Sequence, residues 1–188
     1  MLEAVEKLQS MLLRRIASRD RDALSQFYDH TARPLFAVAW QMLGNAEEAE
    51  EVIQDVFVQI WSNAEKFDEA KGGAFPWALS ITRNRCIDQL RARQRRARVF
   101  FDWRDEDEWE NTASPGLEDG RLPEPELAAI RSTVRTLPDD QRQAIEMAFF
   151  QGMTHLEIAA ALQEPLGTVK ARIRRGMLKL REALQIYL

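Results

Sequence analysis

The chain has 188 residues, of which 45% are hydrophobic, and its formal net charge at pH 7 is −4. This length suits one domain of ordinary size or two small ones, and so acidic a chain would bind nucleic acid only through local basic regions. A single cysteine excludes an internal disulfide, and two histidines are too few for a structural zinc site within one chain.

The N-terminal stretch MLEAVEKLQSMLLRRIASRD lacks the apolar core and cleavage site of a signal peptide. No apolar run reaches the roughly 20 residues that cross a bilayer. We therefore expect a soluble, cytoplasmic protein without membrane insertion. Helical periodicity is common along the chain, and the alternation typical of strands is absent. The predicted fold class is all-α, with two small helical domains at residues 1–98 and 126–188 joined by an acidic, flexible linker at 99–125.

The stretch NAEEAEEVIQDVFVQIWSNAEKF predicts a strongly amphipathic helix. Its apolar face holds Val52, Ile53, Val56, Phe57, Ile60 and Trp61, and its polar face holds Glu47, Glu50, Glu51, Gln54 and Asp55. An acidic helix face is by default solvated. The alternative is a docking face for a basic protein partner, and the pattern of this helix alone does not decide between the two.

A loop and a basic helix follow in FDEAKGGAFPWALSITRNRCIDQLRARQRRAR. Gly72 and Gly73 permit a bent loop, and Pro76 suits the first turn of the next helix. From Arg83 to Arg98 there are seven arginines and one aspartate, a local net charge of +6.

The two faces of this basic helix differ in chemistry. Leu79, Thr82, Cys86 and Leu90 share the predicted buried face, and Trp77, Asn84, Asp88, Arg91 and Arg95 share the opposite stripe. An aromatic ring, an amide and several guanidiniums on one face suit melted DNA, where stacking contributes about 1–3 kcal/mol per base. Trp77 is equally compatible with a core position, and Cys86 is typical of a small buried residue.

The predicted linker is acidic and aromatic. From Asp102 to Glu126 there are ten acidic residues and two arginines, a local net charge of −8. Its aromatic residues are Phe100, Phe101, Trp103 and Trp109. The favoured interpretation is that these rings dock on one of the domains. The alternative is that the segment mimics nucleic acid or enters a groove on a partner.

Three helices are predicted after the linker. The first starts after Pro138, with Asp139 and Asp140 near its positive end. The second is announced by Thr154 and Glu157, which have the spacing of a capping box, and it ends at Leu162. QEPLG is then a short turn, and Thr168 is the predicted cap of the third helix. Two short helices, a tight turn and a basic second helix are typical of a helix-turn-helix.

The third helix combines a buried stripe with a basic surface. The predicted buried face consists of Val169, Ile173, Met177, Leu180 and Leu184. The opposite face consists of Ala171, Arg174, Arg175 and Leu178, and this opposite face is flanked by Lys170, Arg172 and Lys179. In a major groove the two adjacent arginines would reach guanine edges, with about 1–3 kcal/mol of discrimination for each bidentate pair. Thr168 and the helix N-terminus would hold a phosphate. A merely solvated basic face is the alternative, but the coincidence of cap, turn and stripe favours DNA binding.

Four stretches in order resemble the extracytoplasmic-function (ECF) sigma factors, the small promoter-recognition subunits of bacterial RNA polymerase. The opening of their region 2 resembles RDALSQFYDHTARPLFAVAWQMLGN, and the helix after it resembles AEEVIQDVFVQIW. The helix that reads the −10 element resembles FPWALSITRNRCIDQLRARQRR. Their region 4 resembles LPDDQRQAIEMAFFQGMTHLEIAAALQEPLGTVKARIRRG. The resemblance covers the chain from about residue 20 to the end, except for the linker.

The resemblance implies that residues 1–98 are region 2 and residues 126–188 are region 4. It places Glu51, Gln54, Asp55, Phe57 and Trp61 against the polymerase. It places Lys71, Gly72, Trp77, Asn84, Asp88, Arg91 and Arg95 at the −10 element, with the loop from Asp68 to Phe75 capturing a flipped base. It places Thr168, Lys170, Ala171, Arg172, Arg174, Arg175 and Lys179 at the −35 element. The implied partners are the RNA polymerase core, through its β′ and β subunits, promoter DNA and an anti-sigma factor.

An enzyme is disfavoured, because the sequence has no phosphate-binding glycine loop, no nucleophile paired with a base and no metal-binding cluster. We therefore expect no catalytic residues, no metal and no cofactor. The sequence leaves two non-enzymatic interpretations open beside a sigma factor. A sigma-like decoy that binds only a protein regulator would be expected to lose its basic stripes. A stand-alone helix-turn-helix repressor would need a dimerisation or ligand domain.

Overall fold

The computed structural model describes residues 2–100 and 134–185, and these residues form two separate helical units. The first unit spans Met1–Gly116 and the second Leu117–Leu188. The all-α fold class is confirmed, since the described residues contain helices and turns and no strand. The predicted linker lies outside the described residues, apart from residues 99 and 100, and so do its aromatic side chains. The exact domain boundaries stay a prediction.

The first unit packs four helices around one core. They are α1 (Leu2–Ala17), α2 (Arg21–Leu43), α3 (Ala46–Asn63) and α4 (Ala74–Phe100), with short 3-10 turns at Ala64–Lys66 and Glu69–Lys71. The largest fully buried side chains come from all four helices: Leu12, Leu13, Ile16, Phe27, Thr31, Leu35, Val56, Ile60, Thr82 and Cys86. Burial raises the pKa of the Cys86 thiol to about 12, so this cysteine is a packed core residue.

Local capping signals set the ends of α2 and α3. Asp20 accepts a hydrogen bond from the backbone N–H of Ala23, which, with the Arg15 guanidinium, holds the pKa of that carboxyl below its usual value. This cap contributes stability at neutral pH and loses it as the pH falls through the lowered pKa. Gly44 ends α2 with a φ of 66°, and Asn45 caps α3 by accepting from the N–H of Glu48 at 3.0 Å.

The second unit contains the predicted helix-turn-helix. After a helical stretch at residues 134–136, the described part of this unit contains α5 (Asp139–Phe149), α6 (His155–Leu162) and α7 (Leu166–Gln185). The capping box before α6 is confirmed, because the Thr154 hydroxyl accepts from the Glu157 N–H and the Glu157 carboxylate accepts from the Thr154 N–H. Gln163, in the left-handed region with a φ of 53°, ends α6 and opens the turn to α7. Ala144, Ile158 and Val169 are fully buried between the three helices.

Two predictions about α7 are wrong. The helix begins at Leu166, so Thr168 lies inside its first turn, where its N–H bonds to the Pro165 carbonyl, and it is not the cap. The Pro165 carbonyl already accepts the first intrahelical bond, from the Val169 N–H at 3.2 Å, so Pro165 occupies the cap position. Met177 is 53% exposed, and its neighbour Gly176 takes the buried position. A Cβ on Gly176 would lie only 2.6 Å from Ile145, so α7 meets α5 at a residue without a side chain. The Leu184 side chain lies outside the described residues.

The capping box gives a stability prediction for the second unit. Thr154→Ala should lower the free energy of unfolding by about 1 kcal/mol, because the N–H of Glu157 loses its side-chain acceptor. Thr168→Ala is the matched control. It should change the free energy of unfolding by less than about 0.5 kcal/mol, since that threonine does not cap α7. Urea unfolding followed by circular dichroism measures both. Equal losses from the two changes would contradict the observed start of α7.

Two features are absent from residues 2–100 and 134–185. No helix there is long and apolar enough to cross a bilayer. No group of three or more histidine, cysteine, aspartate or glutamate side chains there is arranged to hold a metal ion.

Candidate nucleic-acid and protein interfaces

The acidic face of α3 is exposed along its whole length. Glu47, Glu50, Glu51, Gln54 and Asp55 are exposed, as the amphipathic pattern predicts. Val58 is also exposed, at 66%, one turn beyond Gln54 and Asp55 on the same face. The polar face therefore has an apolar end. Sequence reasoning missed Val58, although its i+3 and i+4 spacing from those two residues is a visible signal.

Phe57 and Trp61 have environments unlike that of the acidic residues. Phe57 is only 7% exposed, and its ring lies 4.7 Å from that of Tyr28 and 6.4 Å from that of Phe27. Its ring therefore belongs to the core and supports Tyr28, which is 48% exposed. Trp61 is half-buried, with the Arg19 guanidinium 5.4 Å from the ring centroid. The predicted apolar face of α3 is confirmed.

The stripe predicted on α4 is largely exposed. Asn84, Asp88, Arg91 and Arg95 are all exposed and lie on one side of the helix, at spacings of four, three and four residues. Trp77 is half-buried, and its ring centroid lies 5.7 Å from that of Phe67. On the opposite side Thr82 and Cys86 are fully buried, and Leu79 and Leu90 are half-buried.

Two arginines of α4 are held by protein groups. Arg93 forms a bidentate pair with Glu48, with N–O distances of 3.0 and 2.6 Å, and also donates to the Leu43 carbonyl. Arg85 donates to the Gln59 side chain at 3.0 Å and lies 4.0 Å from Asp55. Both arginines thus tie α4 to α3, so only part of the local charge of α4 is available to a nucleic acid. The sequence does not reveal these pairings.

The glycine loop between α3 and α4 packs against α1. Gly72 has a φ of 153°, a backbone conformation that residues other than glycine rarely adopt. Lys71 and the N–H of Ala70 both bond to Asp68, and together they lower the pKa of that carboxyl. An ion pair between Arg14 and Glu69 joins α1 to the loop. A cavity of about 380 Å³ lies between α1 and the loop, and it is lined by Glu6, Lys7, Ser10 and residues 69–73.

Lys71 and Gly72, predicted from the resemblance, form part of the wall of this cavity. The contribution of α1 was missed, because Glu6, Lys7 and Ser10 meet the loop only through the tertiary fold. Their spacing on α1 marks one side of a helix and carries no signal for a loop more than fifty residues later.

The basic surface of α7 contains most of the residues predicted for DNA reading. Lys170, Arg174, Arg175 and Lys179 are exposed, and Thr168 and Ala171 are half-buried near the start of the helix. The Arg175 Nε donates to the Ala171 carbonyl at 3.2 Å. The exposed arginines and lysines therefore form one basic ridge on the helix that follows the turn.

Arg172 differs from the other basic residues of α7. Its side chain is 19% exposed, its Nε lies 3.0 Å from Asp140 on α5, and its Nη2 lies 2.9 Å from Glu164 in the turn. Its guanidinium thus connects α5 to the turn before α7. This geometry gives Arg172 an internal positioning role, which the sequence interpretation did not include.

Two sigma-factor family models match the chain, and they match it in order. Sigma-70 region 2 covers residues 27–96, and Sigma-70 region 4 covers residues 127–180. Among similar proteins, the ECF RNA polymerase sigma factor SigK of Mycobacterium tuberculosis H37Rv is 32% identical over 177 residues, which cover 93% of this chain and 92% of that protein. SigK of Mycolicibacterium vanbaalenii is 31% identical over 182 residues, which cover 93% of this chain and 88% of that protein.

Solved structures of similar proteins include Rhodobacter sphaeroides SigE in complex with the anti-sigma ChrR. It is 30% identical, with a TM-score of 0.46, over 94% of this chain and 98% of that chain. The sigma factor RpoE in complex with the anti-sigma factor NepR from Bartonella quintana is 25% identical, with a TM-score of 0.44, over 86% of this chain and 96% of that chain. The ordered matches to regions 2 and 4, with 32% identity to SigK over most of both chains, show that this chain belongs to the family of ECF RNA polymerase sigma factors.

Proposed function

We propose that this chain brings the RNA polymerase core to specific promoters, reading the −35 element with α7 and opening and capturing the −10 element with α4 and the glycine loop. Promoter-specific transcription initiation is the function of its family, whose members are non-enzymatic initiation factors. The observation that carries the detailed proposal is the pair of exposed basic surfaces, one in each unit, together with an exposed acidic face on α3. The proposal assigns residues 1–98 to region 2, residues 99–125 to the linker and residues 126–188 to region 4.

The acidic face of α3 is the proposed polymerase contact. Glu51, Gln54 and Asp55 would meet a basic surface on the core, and the exposed Val58 would add an apolar contact beside them. Charged rim contacts of this kind set the association rate and partner choice, and apolar centres supply more of the affinity. Phe57, predicted as a direct contact, would act by holding α3 and Tyr28 in place, and Trp61 would contribute its exposed edge. The β′ and β subunits are the proposed partners.

The proposed −10 surface combines α4 with the loop. Arg91 and Arg95 would bind phosphates of the non-template strand, and Asn84 and Asp88 would face its bases from the same stripe. Lys71 and Gly72 would hold the captured nucleotide, and the exposed part of Trp77 would stack on a base. Binding extruded bases stabilises the open strand, so melting is driven by binding and needs no catalytic group.

The proposed −35 surface is the basic ridge of α7. Arg174 and Arg175 would read base edges in the major groove, while Lys170, Lys179 and the first turn at Thr168 would bind phosphates. Ala171 is small and half-buried, so it would let the helix approach the groove closely. Arg172 would hold the turn against α5 through its two carboxylate partners, and it would contribute positive potential more than direct contacts.

The two DNA surfaces are proposed to act together on the polymerase. Linking two binding sites makes the second engagement effectively intramolecular, which raises overall affinity without any new contact. The net charge of −4 disfavours binding of the free chain to random DNA. An anti-sigma factor, implied by the family resemblance, is the proposed regulator, and the cytoplasm, where the polymerase acts, is the proposed location.

The role of Asn84 can be tested in a reconstituted open complex. Asn84→Ala should lower the rate or extent of promoter opening by about threefold to tenfold, since a lost base contact costs about 1 kcal/mol, and it should leave closed-complex affinity unchanged. Opening is measured by permanganate reactivity of the −10 thymines, with Gln26→Ala, an exposed amide change on α2, as the matched control. Equal loss in both steps would refute the base-capture role.

A further inference from the structure

We propose that Glu6 of α1 selects the base that the glycine loop captures, by accepting a hydrogen bond from the exocyclic amine of an extruded cytosine or adenine. This inference rests on the proposed capture of a −10 base by the loop. It extends that function to a helix that precedes residue 27, where the region 2 match begins. The base-selecting residue would therefore lie outside the matched part of the chain.

The cavity between α1 and the loop has the size and position for this role. Its volume of about 380 Å³ lies within the range of small-ligand pockets, about 300–1,000 Å³. One wall is α1, with Glu6, Lys7 and Ser10, and the other is residues 69–73 of the loop. The Arg14–Glu69 ion pair joins α1 to the loop. A base that enters beside Lys71 and Gly72 therefore meets α1 on the opposite side.

Glu6 reaches across this cavity to the loop backbone. Its Oε1 lies 2.6 Å from the place where a Cβ on Gly73 would be, so a side chain at position 73 would require the Glu6 carboxylate to move. The carboxylate therefore lies where the loop turns into α4, next to Gly72 and its unusual backbone conformation. A side chain at position 73 would push Glu6 away from this place.

Glu6 also has unused hydrogen-bonding capacity. The other charged groups on the cavity wall have partners: Glu69 pairs with Arg14, Lys71 pairs with Asp68 at 3.1 Å, and Lys7 has an interaction of its own. Glu6 has no hydrogen-bond or ion-pair partner among the described residues, and its Oε1 lies beside Gly73 on the opposite wall of the cavity. An acidic side chain in this setting is available to a ligand that donates hydrogen bonds.

The chemistry of a carboxylate separates the bases. An ionised carboxylate only accepts hydrogen bonds. Cytosine presents the N4 amine and adenine the N6 amine, whereas thymine and guanine present carbonyl oxygens at the corresponding positions. Glu6 would thus bind cytosine and adenine through these amines and repel O4 of thymine. Guanine, which donates from N1 and from its N2 amine, would be bound when that edge of the extruded base faces Glu6. Lys71, whose side chain is 84% exposed, would bind the phosphate beside the captured base.

The test uses the full chain bound to core polymerase and single-stranded oligonucleotides of the non-template −10 strand. Abasic substitution at each position first finds the nucleotide whose base contributes most to affinity. The four bases are then compared at that position by competition. The wild type should bind cytosine or adenine about fivefold more tightly than thymine, the factor for one net hydrogen bond of about 1 kcal/mol. In Glu6→Gln this preference should fall below about twofold, because an amide also donates.

Glu65→Gln is the matched control, since Glu65 is an exposed acid on the neighbouring 3-10 turn and does not line the cavity. It should keep the wild-type ranking. If Glu6→Gln also keeps that ranking, or if the wild type has no preference for amine-bearing bases, Glu6 does not select the base. These results would leave the proposed function intact. If no abasic position weakens binding, base capture itself is wrong.

Discussion

Replacing Arg174 with alanine is expected to lower transcription from a promoter with the cognate −35 element by about 10- to 100-fold. The side chain is exposed on α7, and losing a bidentate contact to a base costs about 1–3 kcal/mol. The loss should be concentrated at one base pair, so a promoter mutated at that pair should be nearly unaffected. Lys170→Ala should instead weaken all promoters by a similar factor, since a phosphate contact carries no sequence information.

Arg142→Ala provides the matched control for Arg174. Arg142 is an arginine of the same unit, on α5, where it pairs with Asp139 within its own helix. Its loss should change transcription by less than about twofold, because such surface pairs contribute little. Multiple-round transcription on a panel of −35 variants measures both changes. If Arg174→Ala keeps both the strength and the ranking of these promoters, α7 does not read bases through Arg174.

The second large effect is expected at Phe57. Phe57→Ala should lower the free energy of unfolding of the first unit by about 3–5 kcal/mol, because the ring is 7% exposed and packs on Phe27 and Tyr28. Polymerase binding should fall only as far as the folded population falls. Phe57→Leu should restore much of the stability, since leucine refills part of the space. Urea unfolding and polymerase affinity measured on the same samples separate these quantities.

Val58→Ala is the complementary change on the adjacent residue. Val58 is 66% exposed, so its loss should alter stability by less than about 0.5 kcal/mol while it weakens polymerase affinity. The change at Phe57 should thus mainly lower the free energy of unfolding, and the change at Val58 should mainly lower the affinity for polymerase. A Phe57→Ala chain with unchanged stability and abolished polymerase binding would contradict the core placement of this ring. Unchanged affinity in Val58→Ala would remove Val58 from the proposed contact.

Local signals in the sequence were sufficient for much of the fold. The amphipathic pattern of α3 predicts its buried and exposed faces, because a helix in contact with one core shows a single apolar side. Pro138 and the Thr154–Glu157 spacing predict the starts of α5 and α6, because caps act within one turn. The family match followed from the order of these same segments.

Tertiary contacts explain what the sequence did not predict. The buried position of Gly176 in place of Met177 depends on how closely α7 approaches α5, which periodicity within α7 does not encode. Arg172 and Arg93 belong to basic runs that the sequence assigns to a surface, yet each has carboxylate partners on another element. Long cationic side chains reach several positions, so their partners are fixed only when the helices pack.

The proposed site was predictable to a similar extent. The exposed stripe of Asn84, Asp88, Arg91 and Arg95 follows directly from helical spacing. The second wall of the loop cavity, which includes Glu6, does not follow from helical spacing, because it depends on where α1 lies against residues 69–73.

The central expectation is that this chain gives RNA polymerase a promoter preference that the core lacks. The direct measurement is transcript sequencing from a random promoter library, with purified core polymerase in the presence and absence of the full chain. The account predicts transcripts that require the chain and that start downstream of one shared pair of −35 and −10 sequences. Failure of the chain to bind the core, or transcripts that are the same with and without it, would contradict the account.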